Sequence, residues 1–151
     1  MSDFKIFDIA GSGMSAQSVR LNTVASNLAN ADSVSSDPAT AYRAKHPVFK
    51  AVLGAGLGAG GLGAGGAAAA GVDAATASVQ VTGIAENPAA PETRYDPGNP
   101  LADAQGYVYA PNVNVVEEMT DMISASRSYQ NNVEVLNTAR DLMLDTLKLG
   151  Q

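Results

Sequence analysis

The sequence predicts a mainly α fold, with N- and C-terminal helices paired as a coiled coil and a small β element and a Gly/Ala-rich loop between them. Three observations lead there. A heptad pattern of apolar residues runs through the C-terminal segment, a second runs through residues 4–30, and the chain between them is extended or glycine-rich. Segments 1–33 and 111–151 are therefore expected to form one discontinuous helical domain, and 34–110 a small extended region.

The C-terminal pattern is the longer one. Stepping alternately by four and three from Val115 meets Met119, Met122, Ser126, Tyr129, Val133, Leu136, Arg140, Met143 and Leu147, and eight of these ten positions are apolar. So narrow a stripe is a coiled-coil seam rather than the broad face of an ordinary globular helix. A helix of this length spans about 50 Å. Its ends are marked. Asn114 stands three residues before Glu117, the arrangement of an N-cap with a reciprocal acid, and Pro111 discourages an earlier start. Glu117, Glu118 and Asp121 suit the positive end of the helix dipole and Lys148 the negative end, while Gly150 suits a left-handed close.

In the N-terminal pattern Phe7, Met14, Leu21 and Leu28 recur every seven residues, with Ala10, Gln17 and Val24 between them. Gln17 is the one break in that seam. The shared rhythm allows the two helices to pack parallel or antiparallel. Gly11 and Gly13 each cost roughly 1 kcal/mol relative to Ala, so this helix should be weak alone.

Both helices are short of charge on their outer faces. Arg20 is the only charged residue within 9–31, and Arg127 the only one within 124–132. A solvated helix face normally carries Lys and Glu. Amides and hydroxyls, by contrast, tolerate burial when each finds a hydrogen-bond partner. A polar solvated face is the plain reading; the sharper one buries one face within the subunit and the other between subunits, as in a polymer.

The middle of the chain shows strand-like runs at 42–53, 79–84 and 107–109, with Pro47 restricting the first to an edge. Residues 53–71 are low in complexity, with nine Gly, seven Ala and three Leu, and the expectation is a flexible loop that glycine would let approach a neighbouring subunit closely.

Composition excludes much. The chain has 46% apolar but only 5% aromatic residues, so a large independent core is not expected. Zero cysteines exclude disulfides and thiolate metal sites, and a net charge of -6 argues against nucleic acid. No cleavable signal peptide and no membrane-spanning helix are expected. Residues 56–61 satisfy G-x-G-x-x-G, but in a tract half composed of glycine the match carries almost no information. His46 is the only histidine and has no companion ligand, and Asp141 with Asp145 reads as a solvated face. No cofactor is expected. Nothing asks for an enzyme.

Residues 9–30, IAGSGMSAQSVRLNTVASNLAN, resemble the amino-terminal motif of the rod and hook family of the bacterial flagellum. Residues 95–108, YDPGNPLADAQGYV, and 124–150, SASRSYQNNVEVLNTARDLMLDTLKLG, narrow the likeness to its proximal-rod branch, as do Asp32-Ser33 and Tyr42-Arg43-Ala44-Lys45. The likeness covers roughly 6–50 and 93–151 and departs from about 51 to 82.

The resemblance implies a structural subunit of the helical rod that crosses the periplasm and carries torque from motor to hook. It implies export, unfolded and without a cleaved signal, through the flagellar type III apparatus, with this chain itself and other rod proteins as partners. On that reading Phe7, Met14, Leu21, Leu28, Met119, Met122, Tyr129, Val133, Leu136, Met143 and Leu147 form the seam within the subunit. Asn22, Asn27, Asn30, Arg127, Asn131 and Asn132 are candidate contacts between subunits. The alternative is a coiled-coil export adaptor or chaperone of a type III secretion system, binding a partner helix in the cytoplasm.

Overall fold

A computed structural model describes residues 3–53 and 77–149. Its elements follow in the order α1 (Asp3–Asn30), β1 (Lys45–Leu53), β2 (Ala77–Glu86), β3 (Glu92–Tyr95), β4 (Tyr107–Ala110) and α2 (Val115–Leu149). The helices are 28 and 35 residues long. The Gly/Ala tract at 53–71, including the G-x-G-x-x-G match, lies outside the described residues apart from Leu53 at the end of β1.

Local chemistry explains the helix ends. Asn114 Oδ1 accepts hydrogen bonds from the N–H groups of Val116, at 3.1 Å, and Glu117, at 3.4 Å, so two orphan donors of the first turn of α2 are satisfied. The Glu117 side chain returns no bond among the described residues, so this is an Asn cap rather than a reciprocal box. At the close of α1 the Asn30 amide turns back to donate to the Ser26 carbonyl at 2.7 Å, and Ser33 donates through both N–H and Oγ to the Asn30 carbonyl.

The two helices lie antiparallel. Gly13 faces Asn132, Arg20 meets Asp121 at 2.8 Å, and Asn27 meets Glu118 at 2.8 Å, so positions rise along α1 as they fall along α2. The heptad rhythm alone left this direction open. The contacts of Arg20 and Asn27 show how it is decided: their partners sit in the first turns of α2, opposite the last third of α1.

Between the helices stand two antiparallel ribbons. β1 and β2 pair from Lys45↔Glu86 to Leu53↔Ala77, with a register shift between Val48 and Phe49 just after Pro47. A bulge there accommodates a residue that has no N–H to give the ladder. The ribbon lies along α1, tied at one end by Lys45 beside Asn27 and farther along by Val79 N–H donating to Ser12 Oγ at 3.2 Å. β3 and β4 pair from Glu92↔Ala110 to Tyr95↔Tyr107. Ser35 and Tyr109 exchange two backbone hydrogen bonds of 2.9 Å each and hold that hairpin to the loop after α1. The expected strands coincide with β1, β2 and β4. β3 was not expected, and the two ribbons give the chain a larger β share than one small element.

The core is thin. Among the described residues the buried apolar ones are Ala10, Ala16, Val24, Ala41, Ala44, Val108 and Ala125, five of the seven being alanine. The largest side chains fully enclosed are Val108 and Asn27. Alanine removes little apolar surface from water, so burial within one chain supplies only a small driving force. Among the described residues no helix is long and apolar enough to cross a membrane.

Candidate functional site

The contact between α1 and α2 is built on small and polar residues. Gly13, Arg20 and Asn27 recur every seven residues on α1 and face α2; Glu118, Ala125 and Asn132 recur every seven on α2. Ala125 is 0% exposed. A Cβ on Gly13 would stand 2.9 Å from Asn132 Nδ2, so glycine is what allows the close approach there.

The large residues of the expected seam flank this line. Phe7, Met14, Leu21 and Leu28 are half-buried, as are Met122, Val133, Leu136 and Met143. Tyr129, Met119 and Leu147 are exposed, Leu147 to 69%. The physical reason is spacing: small residues bring two helices closer than Met or Leu permits, and the bulky neighbours then stand beside the contact line.

The candidate contact residues divide in the same way. Asn22, Arg127 and Asn131 are exposed. Asn30 serves its own helix end, and Asn132 is half-buried against Gly13. Asn27 is 0% exposed.

Asn27 is the node of the structure. Its Nδ2 donates to the Lys45 carbonyl and to Glu118 Oε1, both at 2.8 Å. Its Oδ1 accepts from Lys45 N–H at 2.9 Å and from Tyr42 OH at 3.0 Å. Two donors and two acceptor sites exhaust what an amide side chain offers, so the residue is fully satisfied. It joins α1, the loop bearing Tyr42, the first residue of β1 and the first turn of α2. Lys45 also places its Nζ over the Tyr42 ring, 5.6 Å from the centroid. Glu118 Oε2 and Gln17 Oε1, both buried, have no partner among the described residues.

Asn112 makes a second, smaller tie. Its Oδ1 accepts from Ala44 N–H at 2.8 Å and its Nδ2 donates to the Ala89 carbonyl at 2.9 Å, joining the approach to β1, the approach to β3 and the segment leading into α2. Sequence reasoning did not single out Asn112, Tyr42 or Lys45 for these bonds, and it read Glu118 only as a dipole partner. The available signal was the heptad that places Gly13, Arg20 and Asn27 in line.

The β3–β4 hairpin carries the motif at 95–108. Asp103 organises its loop: Oδ1 accepts from Gln105 and Tyr107 N–H at 2.9 and 2.8 Å, and Oδ2 from Tyr109 OH at 3.4 Å. Desolvation together with the Asp103 carboxylate holds the Tyr109 phenol above its ordinary pKa, with a smaller push from Asp37. Gly106 has φ +85°, and a Cβ there would meet the Tyr95 ring at 3.0 Å. The Tyr95 and Tyr107 rings pack edge to face, 5.3 Å apart.

Among the described residues no cluster of His, Asp or Glu is arranged to hold a metal ion. The site is a set of helix faces and polar ties, and its chemistry is that of association.

Comparison with known proteins agrees with this reading of the two ends. Residues 7–35 match the family described as flagella basal body rod protein, and residues 104–149 match the flagellar basal body rod FlgEFG protein C-terminal family. The chain is 52% identical to the flagellar basal-body rod protein FlgC of Escherichia coli O157:H7, over 100% of both chains. It is 50% identical to FlgC of Salmonella typhimurium, again over 100% of both, and 39% identical to FlgC of Aquifex aeolicus over 98% of this chain and 97% of that one. With such identity along its whole length, the chain belongs to the FlgC family of flagellar basal-body rod proteins.

Proposed function

We propose that this chain is a non-enzymatic subunit of the flagellar proximal rod, polymerising through its terminal helices into the shaft that carries torque across the periplasm. One observation carries this reading: both helices pair with each other yet still expose apolar side chains elsewhere. Ile6 and Ile9 on α1 are 40% and 42% exposed, and Met119, Ile123, Val135 and Leu142 on α2 are 50%, 55%, 49% and 62% exposed. An alanine-rich core with bulky residues outside it is a subunit whose driving force is realised between copies.

The finer features extend from there. The seam residues would tighten into knobs-into-holes packing within each subunit as it is assembled, and Asn22, Arg127 and Asn131, exposed in one chain, are the amides and charge available to fix register between neighbours. Passage through the type III export apparatus in an unfolded state suits so thin a core. Association with other rod proteins and a periplasmic location follow from the same role. A rod bearing torque needs load spread over many helix contacts.

Two substitutions test this. Leu142→Asp puts a charge on a face exposed in the single chain, so the subunit should still be exported and swimming should be lost. Leu136→Asp puts one against the half-buried flank of the helix pair and should abolish both folding and assembly. Normal swimming in cells carrying either chain as their only copy would refute the assignment of these faces.

A further inference from the structure

The β3–β4 hairpin is anchored in its own chain by the buried Val108 side chain and by the Ser35–Tyr109 backbone pair, and its loop end is left uncovered. Its strands pack on each other and on no other described helix or strand. That loop end exposes Tyr95 to 64%, Leu101 to 46% and Tyr107 to 43%. The hairpin's charge is acidic. Glu92 is exposed and Asp96 half-exposed, and Arg94, the one cation of the hairpin, approaches Asp96 only to 4.0 Å.

A surface of the opposite character lies at the start of β1. Three of the nine Lys and Arg residues fall within 43–50, which also holds His46 and no acid. Among the described residues Arg43, Lys45 and Lys50 have no carboxylate within 4.0 Å. Between this segment and the helices runs a groove of about 360 Å³. Val24, Pro47 and Phe49 give it apolar walls, and Lys45, whose ammonium lies over the Tyr42 ring, gives it a cationic rim beside His46. Phe49 is 41% exposed. The one acid in the groove, Asp121, is already paired with Arg20.

We propose that the acidic, aromatic tip of the β3–β4 hairpin of one copy docks into this cationic groove of a second copy of the same chain. Charge and shape both match: apolar rings and a leucine meet apolar walls, and Asp96 at the loop end meets Lys45. The two patches are different surfaces of one molecule, so the contact is head-to-tail, the kind that propagates into a ring or an open helix rather than closing as a dimer. A groove of this size takes one or two side chains, which is less than the roughly 800 Å² per partner of a stable interface. Docking therefore fixes the register of neighbours already held by their helix faces, and to that extent it rests on the rod reading.

The chain has no cysteine, so introduced thiols are unique. His46→Cys and Leu101→Cys chains, each exposed at the substituted position, are purified, mixed and treated with a short bismaleimide linker. The mixed 46–101 dimer should exceed both symmetric dimers by at least tenfold. Lys45→Glu in the groove-bearing chain should abolish that excess, and Asp96→Lys in the hairpin-bearing chain should restore it. Mixed dimers at their statistical share, or an excess indifferent to Lys45→Glu, overturn the docking. Chains that enter rods in cells but give no excess overturn it while leaving the rod reading intact. Chains that neither self-associate nor enter rods overturn both.

Discussion

Gly13 and Asn132 face each other across the helix pair so closely that a methyl group on Gly13 would stand 2.9 Å from the Asn132 amide nitrogen. Gly11, two residues earlier on the same helix, has nothing within 4 Å of the corresponding position. Both glycines weaken α1 by the same intrinsic amount, yet only one is required by packing.

The two positions should therefore respond differently to alanine. Gly11→Ala should stabilise the helical state by about 1 kcal/mol, the propensity difference alone. Gly13→Ala gains the same propensity but must displace the Asn132 side chain, so its net effect should be near zero. Combining Gly13→Ala with Asn132→Ser should recover the gain, a coupling of about 1 kcal/mol. Thermal melts by circular dichroism, at a concentration where the parent chain is fully helical, measure these three and the Asn132→Ser single that closes the cycle. A full gain from Gly13→Ala alone would mean the helices do not approach this closely.

This pair also shows where the sequence was legible. The span of each helix follows from period and caps, because Asn114 and the seven-residue repeats are local signals. Which residue of the repeat faces the partner is not local. Met14, Leu21 and Leu28 look like a seam by bulk and are half-buried, but it is Gly13, Arg20 and Asn27 that meet Asn132, Asp121 and Glu118. Glu92–Tyr95 was not foreseen because ETRY, four residues between Pro91 and Pro97, has no apolar alternation and is a strand only through its pairing with β4. Asn27 stood out for its composition, as a polar residue without a charge; the four bonds it makes depend on Tyr42, Lys45 and Glu118, far from it in sequence.

Tyr109 supplies a pH-dependent readout of the hairpin. Its folded pKa lies above the ordinary 10.0, chiefly from desolvation and then from Asp103. Raised in the fold, it favours the neutral phenol there. The contribution is intact below the ordinary value and is lost as pH rises through the folded pKa. Following phenolate absorbance, Tyr109→Phe should remove a titration step lying above pH 10.0 and should make the hairpin less sensitive to alkali. A lost step lying at or below pH 10.0 would place Tyr109 away from Asp103.

Asn27→Asp is the most damaging conservative change available. It replaces the nitrogen that donates to Glu118 Oε1 and to the Lys45 carbonyl, each at 2.8 Å, with an acceptor oxygen. The carboxylate is the same either way round: one oxygen keeps the bonds from Tyr42 and Lys45 N–H, and the other confronts the Lys45 carbonyl and the buried Glu118 carboxylate. Breaking a buried charged arrangement of this kind costs about 3–5 kcal/mol. A core made mostly of alanine has little stability to lose, so the helical state should disappear at concentrations where the parent chain is helical, and swimming should fail although the chain is still exported. Adding Glu118→Gln should restore much of both, since its amide can donate to the new carboxylate and removes the opposing charge. Export, circular dichroism and swimming assays on the two variants separate the outcomes. An Asn27→Asp chain that folds and swims normally would show that the polar node is not what joins the two helices to β1.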